Sequence, residues 1–262
     1  MKKNKQFQCV IAAVALFGTL LMVNSVEAAG YGKVIGKFVF KGKIPEKAIL
    51  VKKGDPAAKD AKVCAAHGVK SNALVIDKKT RGIKNILVYI KTMESDEIHP
   101  KLAKSAKKVV DFDQVGCSFT PHILIVRTDQ KVRVLSGDNC SHNFHSLPIR
   151  QRASNFVVQP MDRKGKLVEM KTSESLPTSI KCDIHPWMKA YWLVLNHPYS
   201  TKTKEDGSFE IDLVPAGKQK FRVWHEKKGY VNAGKRTGFT ARVKDGKTFD
   251  LGTIELTVDD LK

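Results

Sequence analysis

Acidic residues, long apolar runs and the common catalytic signatures are what this chain has little of. Its 46 Lys and Arg stand against 26 Asp and Glu, a formal net charge of +20 over 262 residues. So few carboxylates favour an anionic partner. No recognition-helix pattern and no aromatic RNA-binding motif accompanies the charge, which excludes the common nucleic-acid modules. No segment offers the roughly 20 apolar residues that a membrane-spanning helix needs. There is no CxxCH haem site, no GxSxG, no HExxH, and no clustered His-Cys-His pattern. Methionine is sparse and unclustered, and no strong tandem repeat occurs.

What is present begins with an export signal. Lys2, Lys3 and Lys5 precede an apolar stretch from Cys9 to Val23, and Val26-Glu27-Ala28 precedes Ala29 as a signal-peptidase site. The expected mature chain starts at residue 29 and is periplasmic or secreted; an uncleaved anchor is the alternative. Removing residues 1–28 takes away three lysines and Glu27, leaving a net charge of +18. Four cysteines survive: Cys64, Cys117, Cys140 and Cys182. In an oxidising compartment two disulfides are the default.

The pattern is β throughout. KVIGKFVF at 33–40, ILVYI at 86–90, HILIVR at 122–127, KVRVLS at 131–136, YWLVL at 191–195, FEIDL at 209–213 and KFRVW at 220–224 are short β-branched or aromatic runs. They are bounded by Gly, Asp, Asn and Pro. Many short strands at this spacing predict sandwiches. EIHPKLAKSAKK at 97–108 reads as a short helix or a basic linker.

The stretch KCDIHPWM sets Cys182, His185 and Met188 at intervals of three, between two strand-like runs. A loop wraps an ion better than a strand, whose alternate residues face opposite ways. Thiolate with imidazole suits copper or zinc, and a thioether tilts the choice to copper. A second imidazole stands upstream in DNCSHNFHSLP, as His142 or His145. Plainer readings exist: Cys182 as half a disulfide, Met188 as core.

Two resemblances follow. Phe119-Thr120-Pro121, the strand behind it, then Lys131–Ser136, Ser141-His142-Asn143 and the C-x2-H-x2-M loop resemble the cupredoxins, amicyanin/plastocyanin-like type 1 copper proteins. That resemblance implies copper ligands His142, Cys182, His185 and Met188, with one copper per chain. Asn143 would clamp the Cys182 loop, and His145 is the alternative ligand. Separately, Asp206-Gly207-Ser208-Phe209, the Pro215-Ala216-Gly217 turn and the next alternating strand resemble the carboxypeptidase regulatory-like (transthyretin-like) sandwich.

The expected architecture is all-β: a cupredoxin-like Greek-key sandwich at 106–196, and a second small sandwich from flanking segments 29–105 and 197–262. With Cys182 as a ligand and Cys140 beside the site, Cys64 and Cys117 are the disulfide candidates.

The expected function is to carry single electrons between redox partners. His185 would protrude as the exit, inside a patch of Pro186, Trp187, Lys181 and Lys189 that meets an acidic c-type cytochrome or dehydrogenase. Weak association with an anionic membrane or cell-wall surface is a further expectation. With coordination filled and no catalytic motif, the chain is expected not to be an enzyme. The alternative function is an envelope binding or scaffold protein that stores or delivers copper.

Overall fold

A computed structural model describes residues 30–262; the export-signal segment lies outside the described residues. The described chain is all-β apart from one seven-residue helix, Ala61–His67, and three short 3-10 turns. Its strands gather around two cores and a shared layer between them.

The first core is built from the two ends of the described chain. Strand Tyr31–Phe40 pairs antiparallel with Ser208–Pro215 and parallel with Thr248–Leu256. Its alternation turns Val34, Phe38 and Phe40 inward, as a period of two requires. A second sheet joins Leu87–Ile90 to Ser200–Lys202 and to Gly217–His225, which pairs in turn with Gly238–Val243. The Asp206-Gly207 turn fits because Gly207 adopts φ +81° and a Cβ there would run into the Phe38 carbonyl.

The second core lies between a four-stranded and a five-stranded sheet. The first orders Lys166–Glu169, Lys131–Val134, Val109–Gln114 and Phe119–Thr120; the second orders Asn155–Val158, His142–Leu147, Thr178–Lys181, Lys189–Leu195 and Ile123–Arg127. At its centre Phe112 meets the rings of Trp192 at 5.0 Å and Phe119 at 5.1 Å, and Phe144 lies 5.0 Å from Trp192. Truncating Phe112 to alanine empties that centre. It is expected to cost about 3–5 kcal/mol, read as a lower urea midpoint with an unchanged slope.

Two strands are apolar on both faces because both faces are covered. Val88 and Ile90 enter the first core, while Leu87 and Tyr89 meet Ile123, Leu193, Leu195 and Trp224 in the shared layer. This double burial is why NILVYI and YWLVL read as continuous apolar runs instead of alternating ones.

Two expectations need correcting. Residues 97–108 form neither a helix nor a plain linker: 3-10 turns at Ser95–Glu97 and Pro100–Leu102 lead into an irregular stretch. Residues 51–69, expected within the N-terminal β segment 29–105, pack on the other core. Val51, Cys64, Ala65 and Val69 are buried there with Phe119 and Cys182.

Candidate metal centre

The site grows from a seven-residue hairpin loop. Strands Thr178–Lys181 and Lys189–Leu195 pair antiparallel, with Lys181 opposite Lys189, so residues 182–188 form the connection. The loop is tightened from within. The Cys182 N–H donates to the Met188 carbonyl at 3.3 Å and the Met188 N–H to the His185 carbonyl at 2.9 Å. The Cys182 Sγ accepts the His185 N–H at 3.3 Å. Met188 is buried in the second core beside Cys182.

Register brings the upstream histidine to this loop. Strand His142–Leu147 pairs antiparallel with Thr178–Lys181, with His145 opposite Lys181. Continuing that register sets Asn143 opposite Asp183, with His142 one step further along. The two histidines, three residues apart, face opposite sides of their strand. His142 is fully buried, whereas His145 turns outward to Asp183 Oδ2 at 2.8 Å. Asn143 ties strand to loop. Its backbone N–H donates to Cys182 Sγ at 3.3 Å, its side-chain oxygen accepts the Asp183 N–H, and its Nδ2 donates to Asp183 Oδ2 at 3.1 Å.

Three donor atoms converge. His142 Nδ1 and His185 Nδ1 are 2.9 Å apart, and Cys182 Sγ is 3.8 Å from His185 Nδ1. All three side chains are buried. The opposite ring nitrogens are taken: His142 Nε2 lies 2.9 Å from Asp138 Oδ2, and His185 Nε2 lies 2.9 Å from Asp60 Oδ2. A carboxylate only accepts, so each Nε2 carries a hydrogen and the two Nδ1 atoms are left facing one another beside the sulfur. Two lone pairs facing each other at this distance repel unless a proton or a cation lies between them. With a thiolate beside them, the donor set fits a soft or borderline metal ion.

Asp138 is itself held, accepting the Gly116 N–H at 2.6 Å and the Cys117 N–H at 2.8 Å. Burial opposes its ionisation, but the bonds from His142, Cys117 and Gly116 outweigh it and keep the carboxyl below its ordinary range.

The same balance sets the ligands. Burial opposes the Cys182 thiolate, yet its contacts with the His142 and His185 rings and the hydrogen bonds from the Asn143 and His185 backbone N–H groups bring its pKa to about 6. Burial opposes charge on His142, yet its bonds to Asp138 and Cys182 push its pKa to about 9. At pH 7, with no ion bound, Cys182 is therefore a thiolate and His142 an imidazolium.

A metal ligand must be deprotonated. Loading a divalent ion at pH 7 is thus expected to release about one proton, from His142. Below pH 6 the number rises towards two. Apparent affinity should climb about tenfold per pH unit from 7 to 9 and level off above. Titration calorimetry in buffers of different ionisation enthalpy measures this; uptake with no proton release at pH 7 would contradict it.

The cysteines divide cleanly. Cys64 and Cys117 form a disulfide with Cα atoms 5.2 Å apart. Cys140 and Cys182 are unpaired and buried. Burial, then the Asp138, Asp60 and Cys182 charges, push the Cys140 thiol up to about 12.

The expected exit surface needs correction. His185 does not protrude; it has no exposed surface, and Asp60 covers its outer edge. Pro186 and Lys189 are exposed and Trp187 half-buried, with the Trp187 ring 5.1 Å from that of His185. Lys181 is paired with Asp183 at 2.9 Å, so its charge is partly cancelled.

Asp60 and Asp138 escaped the reading of the sequence. Asp138 stands four residues before His142, a spacing that could have pointed to it. Asp60 is 125 residues from His185, and nothing near it in sequence marks it.

No family model and no curated protein matches the chain. Solved structures similar to it include amicyanin from Paracoccus versutus, at 10% identity over 41% of this chain and 96% of that one, with a TM-score of 0.29. A purple cupredoxin from Nitrosopumilus maritimus matches at 18% identity over 32% of this chain and 97% of that one, TM-score 0.26. A copper-containing nitrite reductase from Thermus scotoductus matches at 21% identity over 32% of this chain, TM-score 0.26; the match spans only 22% of the reductase. That neighbour is an enzyme, and the expectation that this chain is not one is withdrawn.

Proposed function

We propose that the chain is an exported copper protein that passes single electrons between redox partners. In this reading His142, Cys182 and His185 hold one ion, and Met188 is a weak fourth contact. The observation that carries it is the approach of the two Nδ1 atoms to 2.9 Å beside the Cys182 sulfur, with both Nε2 atoms taken by carboxylates. A copper ion bound there would supply one-electron chemistry. The chain's own contribution is fixed geometry: carboxylates orient both imidazoles, two backbone N–H groups hold the sulfur, and burial excludes water. Donors held this way move little when charge changes, which favours fast transfer.

The partner surface in this reading is Pro186, Trp187 and Lys189. Trp187 links it to the site, with its ring against His185 and its Nε1 donating to the Cys117 carbonyl at 3.2 Å. The excess of Lys and Arg favours an acidic redox protein, a c-type cytochrome or a dehydrogenase. Rates of transfer to it should fall with ionic strength.

Cu(II) titration followed by visible absorption tests the reading. An intense thiolate-to-copper band that saturates at one equivalent supports it. Copper uptake with only weak bands would count against it.

A further inference from the structure

The sheet that carries Gly217–His225 turns one face into the first core. Phe221 and Val223 lie on that face, so Lys218, Lys220 and Arg222 point the other way. In Gly238–Val243 the inward residues are Phe239, Ala241 and Val243, which leaves Thr240 and Arg242 outside. The register sets Lys218 opposite Arg242 and Lys220 opposite Thr240. One step beyond the pairing of Phe221 with Ile90, Lys91 comes opposite Lys220. These side chains, with Lys235, line a groove of about 930 Å³.

Six cations thus share the groove with a single carboxylate, Glu97, which is already engaged: its Oε2 accepts the Glu94 N–H at 3.0 Å. Among the described residues none of the six cations forms an ion pair. The other sheet of the same core behaves differently, with Lys33 paired to Glu210 and Asp212, and Lys41 to Glu255. Like charges directly opposite on neighbouring strands cost stability, and Lys218 with Arg242 is such a pair. An anion laid between them would relieve that repulsion. Arg222 is held ready for it, 5.1 Å over the Tyr230 ring and donating to the Thr237 hydroxyl.

We infer that this groove binds an extended anionic polysaccharide, a chain that carries carboxylates among neutral hydroxyls. Lys218, Lys220 and Arg222 repeat along their strand at roughly 7 Å. Such a row matches charges that repeat along a chain better than it matches one compact ion. The Thr237 and Thr240 hydroxyls stand among the cations as partners for sugar hydroxyls, and the half-buried Phe249 ring offers an apolar face. A bilayer surface is flat and does not enter a recessed groove. The inference does not rest on the metal reading, because the groove belongs to the first core and the candidate metal centre to the second.

Fluorescence anisotropy of labelled polygalacturonate, titrated with the mature chain, tests it. Binding should saturate, weaken as salt rises, and be absent with uncharged dextran. Lys218→Glu/Arg242→Glu should weaken it by about tenfold or more. Lys43→Glu/Lys53→Glu lowers the net charge by the same amount at exposed positions outside the groove, and should stay within about threefold of the wild type. Arg242→Glu alone turns the like-charge pair with Lys218 into an opposite one. It should lose affinity with no fall in melting temperature, which separates binding from folding. No saturable binding, or equal weakening by the two double variants, overturns the inference. Phosphatidylglycerol vesicles that bind more tightly than polygalacturonate, and lose that binding in Lys218→Glu/Arg242→Glu, would assign the face to a membrane instead.

Discussion

Cys182→Ser is expected to abolish the thiolate-to-copper absorption and to weaken copper binding by more than the roughly 10–100-fold that loss of an outer-shell partner costs. The sulfur is the only soft donor among His142, Cys182 and His185, and it stands at their convergence. It also accepts two backbone N–H bonds, from Asn143 and His185, which a shorter hydroxyl meets poorly. Leaving those donors short of a partner should cost about 1–3 kcal/mol of stability, so the variant still folds. A second readout is independent of copper. The thiolate is one of the groups that raise the His142 pKa from its ordinary 6.5 to about 9. In the metal-free variant the His142 titration should therefore shift down, measured by proton NMR. A His142 titration unmoved by the substitution would break the link between the two residues.

Removing the disulfide should cost stability on the same scale as emptying the Phe112 site. Cys64 and Cys117 are 53 residues apart, and a loop of that length confines the unfolded chain by about 4 kcal/mol. The Cys64→Ala/Cys117→Ala protein should melt about 10 °C lower in the transition of the second core, by calorimetry. An unchanged melting temperature would mean that the bond adds nothing beyond the surrounding packing.

Much of this was written locally in the chain. The alternation in KVIGKFVF, the turn at Asp206-Gly207 and the spacing of Cys182, His185 and Met188 each depend on neighbours in sequence, and each is visible there. The choice of His142 over His145 follows from strand alternation once the register with Thr178–Lys181 is known. What could not be read depends on contacts between distant segments. Asp60 reaches His185 only because residues 51–69 pack on the second core, a placement that follows from packing and from the disulfide. His185 is buried with Asp60 at its outer edge, whereas a reading by resemblance placed that edge at the surface. Cys140 was marked as lying beside the site. Its contact with His142 Nε2, at 3.6 Å, comes from the turn at residues 138–142.

The central claim is that His142, Cys182 and His185 together hold one copper ion. X-ray absorption at the copper edge of the loaded mature chain tests it most directly. The account predicts one short copper–sulfur distance and two imidazole nitrogens, with the sulfur absent in Cys182→Ser and one imidazole absent in His142→Ala. A copper environment of nitrogen and oxygen donors alone, unchanged by either substitution, would contradict it.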